Sequence, residues 1–120
     1  MNFRTRKLIK PEDLNARGTL FGGRLLQFVD EESAIYAMCQ LGTKNLVTKL
    51  ISEINFVSPA YQGDIIEIGV SAISVGRTSI TLKVSVRNKD TGLTILDIDK
   101  MIFVALDSNG KPTPHGKQLK

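Results

Sequence analysis

The chain has 120 residues, of which 42% are apolar and 23% charged, the composition of one ordinary globular domain. Its net charge of +4 is mild, Trp is absent, and the few aromatic residues are not interleaved with basic ones. This composition argues against a disordered chain and against a nucleic-acid partner.

Cysteine and histidine usage narrows the chemistry further. Cys39 is the only cysteine, which excludes a disulfide-stapled secreted scaffold. Its place in an apolar helical stretch predicts a buried small side chain rather than a nucleophile. His115, the only histidine, lies in a Pro-rich tail, so the sequence offers no zinc cluster and argues against a Cys–His or Ser–His–Asp site.

The N-terminal segment is basic, but no apolar core follows it as in a signal peptide. No apolar run approaches the length of a membrane span, so no membrane partner is expected. The cytoplasm is therefore the expected location.

The first predicted elements are a short strand over residues 3–9 and a polar loop over residues 11–18, in which Pro11-Glu12-Asp13 can form one helical turn. From residue 23 to residue 41, apolar residues cover most of a helical circumference. This pattern predicts a buried helix, and Gly42 is a suitable terminator.

Strands are predicted over residues 46–57, 64–74, 78–88 and 94–106, with turns at 89–92 and 107–110 and a polar tail at 111–120. The short turns imply antiparallel neighbours. The order predicts an α+β architecture in which one antiparallel sheet curls around a central helix. We expect a single domain over residues 1–120.

Two features near the predicted helix start are candidates for a catalytic site. Gly22 and Gly23 open the helix, where free amides and the helix dipole can bind a developing oxyanion, although a tight corner also favours glycine. Asp30 lies two turns later among apolar positions, where an unpaired carboxylate is costly unless it is functional. The alternative is a polar patch shared with Glu31 and Glu32.

Two polar loops are less specific. Asn15 is typical of an ordinary Asx-turn. Gly76-Arg77-Thr78-Ser79 can hold a phosphate, but a polar hairpin tip is the commoner case. The tail residues Lys111, His115, Lys117 and Lys120 can add phosphate contacts or simply be solvated.

A set of short motifs runs in order along nearly the whole chain: Asn15-Ala16-Arg17-Gly18, Phe21-Gly22-Gly23, Asp30-Glu31, Phe56 and Pro59, Gly63-Asp64, residues 75–79, residues 103–107, and Gly110-Lys111-Pro112. This ordered set resembles the hotdog-fold acyl-CoA thioesterases of the single-domain bacterial type, which are related to the cytosolic acyl-CoA hydrolases of animals.

The resemblance implies a hotdog fold and a homodimer whose sheets join edge to edge, with the active sites at the interface and a hexamer or tetramer as a larger assembly. It implies that Asp30 and Asn15 are catalytic and come from opposite subunits. It also places the carbonyl-binding amides at Gly22 and Gly23, and assigns the CoA moiety to Gly76, Arg77, Thr78 and Ser79.

The implied reaction is hydrolysis of acyl-CoA to a free acid and CoA, without a metal or redox cofactor. Asp30 acts as a general base or attacks directly to form an anhydride, and the sequence leaves both routes open. Val57 stands where many relatives carry a histidine or a basic residue, so the polarity of the site or its acyl preference differs.

Two other functions remain open at this stage. A non-catalytic sensor of acyl-CoA or acyl-carrier protein keeps the pocket but needs no base, and the pair Asp30 and Asn15 argues for the enzyme. A hydratase or dehydratase of this fold generally uses a histidine in the site, and here the only histidine is in the tail.

Overall fold

A computed structural model describes residues 1–119 of the chain. Its elements follow the predicted order: β1 (Asn2–Leu8), a 3-10 turn (Pro11–Asp13), α1 (Gly22–Leu41), β2 (Leu46–Ile51), β3 (Ile54–Phe56), β4 (Ile65–Val75), β5 (Ser79–Asn88) and β6 (Thr94–Ala105). Among these residues, no helix is both long enough and apolar enough to cross a membrane.

The strands form one antiparallel sheet in the order β1-β4-β5-β6-β2, and β3 pairs with β6 beyond the end of β2. One face of the sheet and one stripe of α1 enclose the core. The stripe residues recur every fourth position, as expected for one side of a helix: Leu25, Val29, Ser33, Ala37 and Leu41. The α+β prediction is therefore confirmed.

The predicted strand over residues 46–57 is wrong in one respect, because the structure divides it into β2 and β3. The break lies at Ser52, whose side-chain oxygen accepts a hydrogen bond from the Lys100 amide at 3.0 Å. The Ser52 amide still donates to the Lys100 carbonyl at 2.8 Å, so the side chain replaces the backbone acceptor in only one of the two bonds with Lys100.

The prediction that α1 is buried on most sides is also wrong within a single chain. The sheet covers one side of the helix, while on the other side Ile35 keeps 47% of its surface exposed. Cys39 lies on this uncovered side and is exposed rather than buried. Apolar periodicity alone does not distinguish a helix side covered by its own sheet from one that its own chain leaves open.

A carboxylate of β4 on the outer face of the sheet ties this strand to its two neighbours, β1 and β5. The Glu67 carboxylate oxygens form salt bridges with Nε of Arg6 and Nε of Arg87, each at 3.1 Å, and the Glu67 side chain is only 7% exposed. Burial raises the pKa of this carboxyl, but the two guanidinium groups outweigh burial and hold the pKa below its ordinary value. Arg87 also lies 3.7 Å from the centre of the Phe3 ring.

Candidate active site

Asp30 is half-buried on α1 and is held by a strand rather than by a cation. Its Oδ1 accepts a hydrogen bond from the Thr48 hydroxyl at 2.8 Å. Thr48 belongs to β2, at the end of the sheet order, and pairs with Phe103 of β6. Thr48 is exposed, and nothing in the local sequence pattern singles it out.

The start of α1 leaves the amides of its first residues open, including those of Gly22 and Gly23. Phe21 is the N-cap residue and supplies no side-chain cap, and within residues 1–119 the amides of Gly22 and Gly23 have no hydrogen-bond acceptor. A Cβ on Gly22 would lie 3.4 Å from the Phe56 ring, and one on Gly23 would lie 3.1 Å from the Phe21 ring. Only Gly23 is crowded, since 3.4 Å is an ordinary contact distance, so the steric interpretation applies to Gly23 alone.

The open amides and Asp30 belong to the same helix but lie at different heights along its axis. Gly23 and Asp30 are seven residues apart, which corresponds to about 10 Å along the axis. Helical side chains lean toward the N-terminus, so the Asp30 carboxylate extends toward the amides. The arrangement leaves space between them for a reacting group.

A cavity of 280 Å³ opens beside the start of the helix. Its lining is mostly apolar: Leu20, Gly22, Leu25, Phe56, Val57, Ser58, Pro59, Ala60 and Ile95. The cavity can hold an apolar group whose polar end lies against the open amides. Val57 contributes an apolar wall here.

Asn15 lies in a tight loop and is occupied locally. Its Oδ1 accepts the amide of Arg17 at 2.9 Å and that of Thr19 at 3.2 Å, and its Nδ2 donates to the Thr19 hydroxyl at 3.0 Å. Among the described residues, no hydrogen bond joins Asn15 to Asp30. Within one chain, Asn15 therefore behaves as an ordinary turn residue.

The same loop is fixed to α1 by Asp13, which the sequence analysis treated only as part of a helical turn. The carboxylate of Asp13 is buried and accepts the Lys10 amide and Nε of Arg24, each at 2.9 Å. Burial raises the pKa of Asp13, but the amide and the guanidinium outweigh burial, so the pKa lies below its ordinary value. Phe21 donates its amide to the Asp13 carbonyl at 2.9 Å, which sets where the helix begins.

The turn of residues 76–79 (Gly76-Arg77-Thr78-Ser79, hereafter the 76–79 turn) joins β4 to β5. A Cβ on Gly76 would lie 2.6 Å from the Ser79 hydroxyl, so a larger residue here would displace that hydroxyl. Ile80, the next residue, pairs with Phe103, which also pairs with Thr48. Two strand spacings, about 10 Å, thus separate the start of β5 from Thr48, and the turn lies at the same end of the sheet as Asp30.

The predicted tail cations have different positions. Lys111 is exposed, His115 binds the 76–79 turn, and Lys117 lies beside Gly42 at the end of α1. Lys120 lies outside the described residues. Asp30, Thr48, the turn and part of the tail thus lie at one end of the sheet, and among the described residues Asn15 makes no hydrogen bond with any of them.

The comparison with known proteins assigns the family. The family described as the thioesterase superfamily matches residues 17–95, a range that holds the glycine pair, Asp30, Thr48 and the 76–79 turn. The chain belongs to the thioesterase superfamily. This thioesterase is 33% identical to an uncharacterized acyl-CoA thioester hydrolase of Haemophilus influenzae, over 88% of this chain and 72% of that protein.

Solved structures agree with the sequence relatives. The thioesterase matches a hexameric thioesterase from Yersinia pestis with a TM-score of 0.85 and 30% identity, over 92% of this chain and 91% of that chain. It matches an acyl-CoA hydrolase from Staphylococcus aureus, solved with butyryl coenzyme A, coenzyme A and coenzyme A disulfide, with a TM-score of 0.81 and 32% identity, over 92% of this chain and 66% of that chain. The predicted hotdog fold and the predicted enzyme class are therefore confirmed.

Proposed function

We propose that this thioesterase hydrolyses acyl-CoA to a free carboxylic acid and CoA. The observation that carries the proposal is the position of the Asp30 carboxylate. It accepts a hydrogen bond from the Thr48 hydroxyl at 2.8 Å, and it lies on the helix that also presents the open amides of Gly22 and Gly23. The relatives named acyl-CoA thioester hydrolases support the same reaction. Water adds to the carbonyl carbon, the C–S bond breaks, and the CoA thiolate leaves and takes up a proton.

The helix start and Asp30 divide the work. The amides of Gly22 and Gly23, aided by the helix dipole, bind the oxyanion that forms as the carbonyl is attacked. Thr48 occupies Oδ1 of Asp30. The other oxygen takes the proton from water as a general base, or attacks the carbonyl and forms an anhydride that water then opens.

The two ends of the substrate need different surroundings. The apolar cavity beside Gly22 takes an uncharged acyl chain. Arg77, with Thr78, Ser79 and the amides of the turn, contacts the phosphates of CoA. The pantetheine arm between them spans the distance from the thioester to the nucleotide.

A second chain completes the site in this proposal, with Asn15 of one subunit positioning water or substrate beside Asp30 of the other. Strand β2 supports this arrangement, because it is an edge strand whose apolar side chains Val47, Leu50 and Ile51 are 44%, 43% and 39% exposed. Similar structures are hexameric, which supports a homo-oligomer. Structures of the Staphylococcus aureus enzyme include alanine variants of an aspartate, an asparagine and a threonine, the residue types of Asp30, Asn15 and Thr48.

The proposed chemistry needs no metal or redox cofactor, since the carboxylate, the amides and water suffice, and CoA enters only as part of the substrate. The location in the cytoplasm stays a prediction. A hydratase is disfavoured because both ring nitrogens of His115, the only histidine, are engaged by backbone groups of the 76–79 turn and the tail.

Thiol release from acyl-CoAs of increasing chain length tests the proposal. Asp30→Asn keeps the shape but removes the base, so we expect kcat to fall by about 10² to 10⁴ with an unchanged Tm. Glu31→Gln, which changes the exposed neighbouring carboxylate, is the matched control and keeps the wild-type rate.

Binding without turnover of any acyl-CoA would instead favour the non-catalytic sensor. An unchanged kcat in Asp30→Asn would remove the role given to Asp30. Dialysis against a chelator is expected to leave the rate unchanged, and a loss of rate that Zn²⁺ or Mg²⁺ restores would contradict the metal-free mechanism.

A further inference from the structure

The C-terminal segment of residues 112–117, here called the strap, folds back onto the body of the protein. Asp107 begins the reversal, because its Oδ1 accepts the amides of Asn109 and Lys111 at 2.8 and 3.0 Å. The Thr113 amide then donates to the carbonyl of Ala105, the last residue of β6, at 2.9 Å. The strap therefore leaves the sheet in a defined direction rather than extending into solvent.

His115 fastens the strap to the 76–79 turn at two points. Its ring Nε2 lies 2.9 Å from the Ser79 carbonyl, and its amide donates to the Arg77 carbonyl at 3.2 Å. The Lys117 amide donates to Nδ1 at 3.0 Å, so Nδ1 is the acceptor and Nε2 carries the hydrogen that it donates to Ser79. One side chain thus bridges the turn and the strap.

The far end of the strap lies beside the end of α1. Cε and Nζ of Lys117 lie 3.5 and 3.7 Å from the position that a Cβ would take on Gly42. Gly42 ends α1 in the left-handed conformation (φ 69°), where the partial negative charge of the helix favours a cation. The strap therefore spans from the 76–79 turn to the C-terminal end of α1.

We infer that His115 is a positioning residue for CoA recognition: it holds the backbone of the 76–79 turn so that Arg77 faces the phosphates. Two backbone hydrogen bonds also fix the turn, but neither of them reaches the Arg77 carbonyl. Gly76 donates to the Ser79 carbonyl at 3.0 Å, and Ala105 donates to the Thr78 carbonyl at 2.8 Å, whereas the Arg77 carbonyl receives the strap. This inference rests on the proposed function, because it assigns the turn to CoA.

Substrates with and without the nucleotide provide the test. His115→Ala loses both hydrogen bonds of the ring, to the Ser79 carbonyl and from the Lys117 amide, and keeps the backbone bond to the Arg77 carbonyl. We therefore expect KM for an acyl-CoA to rise about fivefold to tenfold, with kcat within about twofold of wild type. KM for the matching acyl-pantetheine thioester, which lacks the nucleotide, stays unchanged. His115→Gln keeps a side-chain N–H donor and is expected to restore KM to within about twofold of wild type.

Gln118→Ala, an exposed position of the same tail, is the matched control and behaves as wild type. An unchanged KM for acyl-CoA in His115→Ala would overturn the inference. So would an equal rise for both substrates, which is the signature of a general structural effect.

Calorimetric titration with CoA separates this inference from the proposed function. Weaker CoA binding by His115→Ala, with no hydrolysis of any acyl-CoA by the wild type, would support the role of His115 and overturn the proposed reaction. Equal CoA binding by wild type and His115→Ala would overturn the role of His115, whatever the rates of hydrolysis.

Discussion

Carboxylates with different partners have different roles in this molecule. Asp13 and Glu67 are each paired with arginine, which lowers their pKa values and keeps them ionised in buried positions. No salt bridge within residues 1–119 involves Asp30, whose observed partner is the neutral hydroxyl of Thr48. A general base needs a free lone pair and no neutralising cation beside it, and the surroundings of Asp30 meet both conditions.

Removing the Thr48 hydroxyl tests how Asp30 is positioned. Thr48→Val keeps the shape but loses the hydrogen bond, so we expect kcat to fall about tenfold, the effect of one such bond. Thr48→Ser keeps the hydroxyl and is expected to retain most of the rate in the same thiol-release assay. A Thr48→Val enzyme as fast as wild type would show that the bond plays no part in catalysis.

The buried Asp13 predicts a dependence of stability on pH. Its folded-state pKa is lowered, so its contribution is fully present above its ordinary pKa of about 4 and is lost as the pH falls through the folded-state value. We expect Asp13→Asn to lower the free energy of unfolding at pH 7 by about 1 to 3 kcal/mol. Between pH 7 and pH 3, the free energy of unfolding of Asp13→Asn then falls by less than that of wild type.

Urea unfolding at the two pH values measures both quantities. Part of the acid loss persists in the variant, because Glu67 also has a lowered pKa. An equal fall in the free energy of unfolding of wild type and Asp13→Asn on acidification would show that Asp13 does not cause the dependence on pH.

The sequence predicted some of these residues and missed others for a physical reason. Asp30 was found because a carboxylate conflicts with a local apolar period. Thr48 and Asp13 were missed because their partners are 18 and 11 residues away, and no local pattern reports such contacts. Asn15 looks ordinary in its own chain, and only the family resemblance gave it a role.

At the scale of elements, strand β2 forms one edge of the sheet. It pairs with β6 on one side and leaves its other backbone edge without a partner strand among residues 1–119. Periodicity located the strand, but it did not reveal the break at Ser52 or the exposed edge. Both depend on how β6 pairs with the chain, which alternation within one segment does not encode.

A charge on β2 tests whether this edge joins subunits. Leu50→Lys places an ammonium on the exposed edge strand, so we expect a weaker assembly and a loss of activity on dilution. Sedimentation measures the assembly. Ile73→Lys is the matched control, because Ile73 is 47% exposed but lies on β4, and it is expected to leave the assembly intact.

Dissociation by both variants, or by neither, would contradict the assignment of the β2 edge. In the second case, the subunits would meet through another surface.

At the scale of the whole molecule, the proposed site is incomplete in one chain. Asn15 is tied to its own loop, and Asp30 is tied to β2. The exposed side of α1 and the apolar β2 edge are surfaces that a second copy can cover, and structures similar to this one are hexameric. The central claim is that Asn15 and Asp30 act together across two subunits.

Mixed dimers of two inactive variants test this claim most directly. Asn15→Ala and Asp30→Asn are each expected to have little activity, and equal amounts are unfolded and refolded together before thiol release is measured. About half of the dimers then hold one chain of each kind, and a shared site predicts that one of their two sites is intact. The account predicts about one quarter of the wild-type rate, whereas a mixture no faster than the separate variants would contradict it.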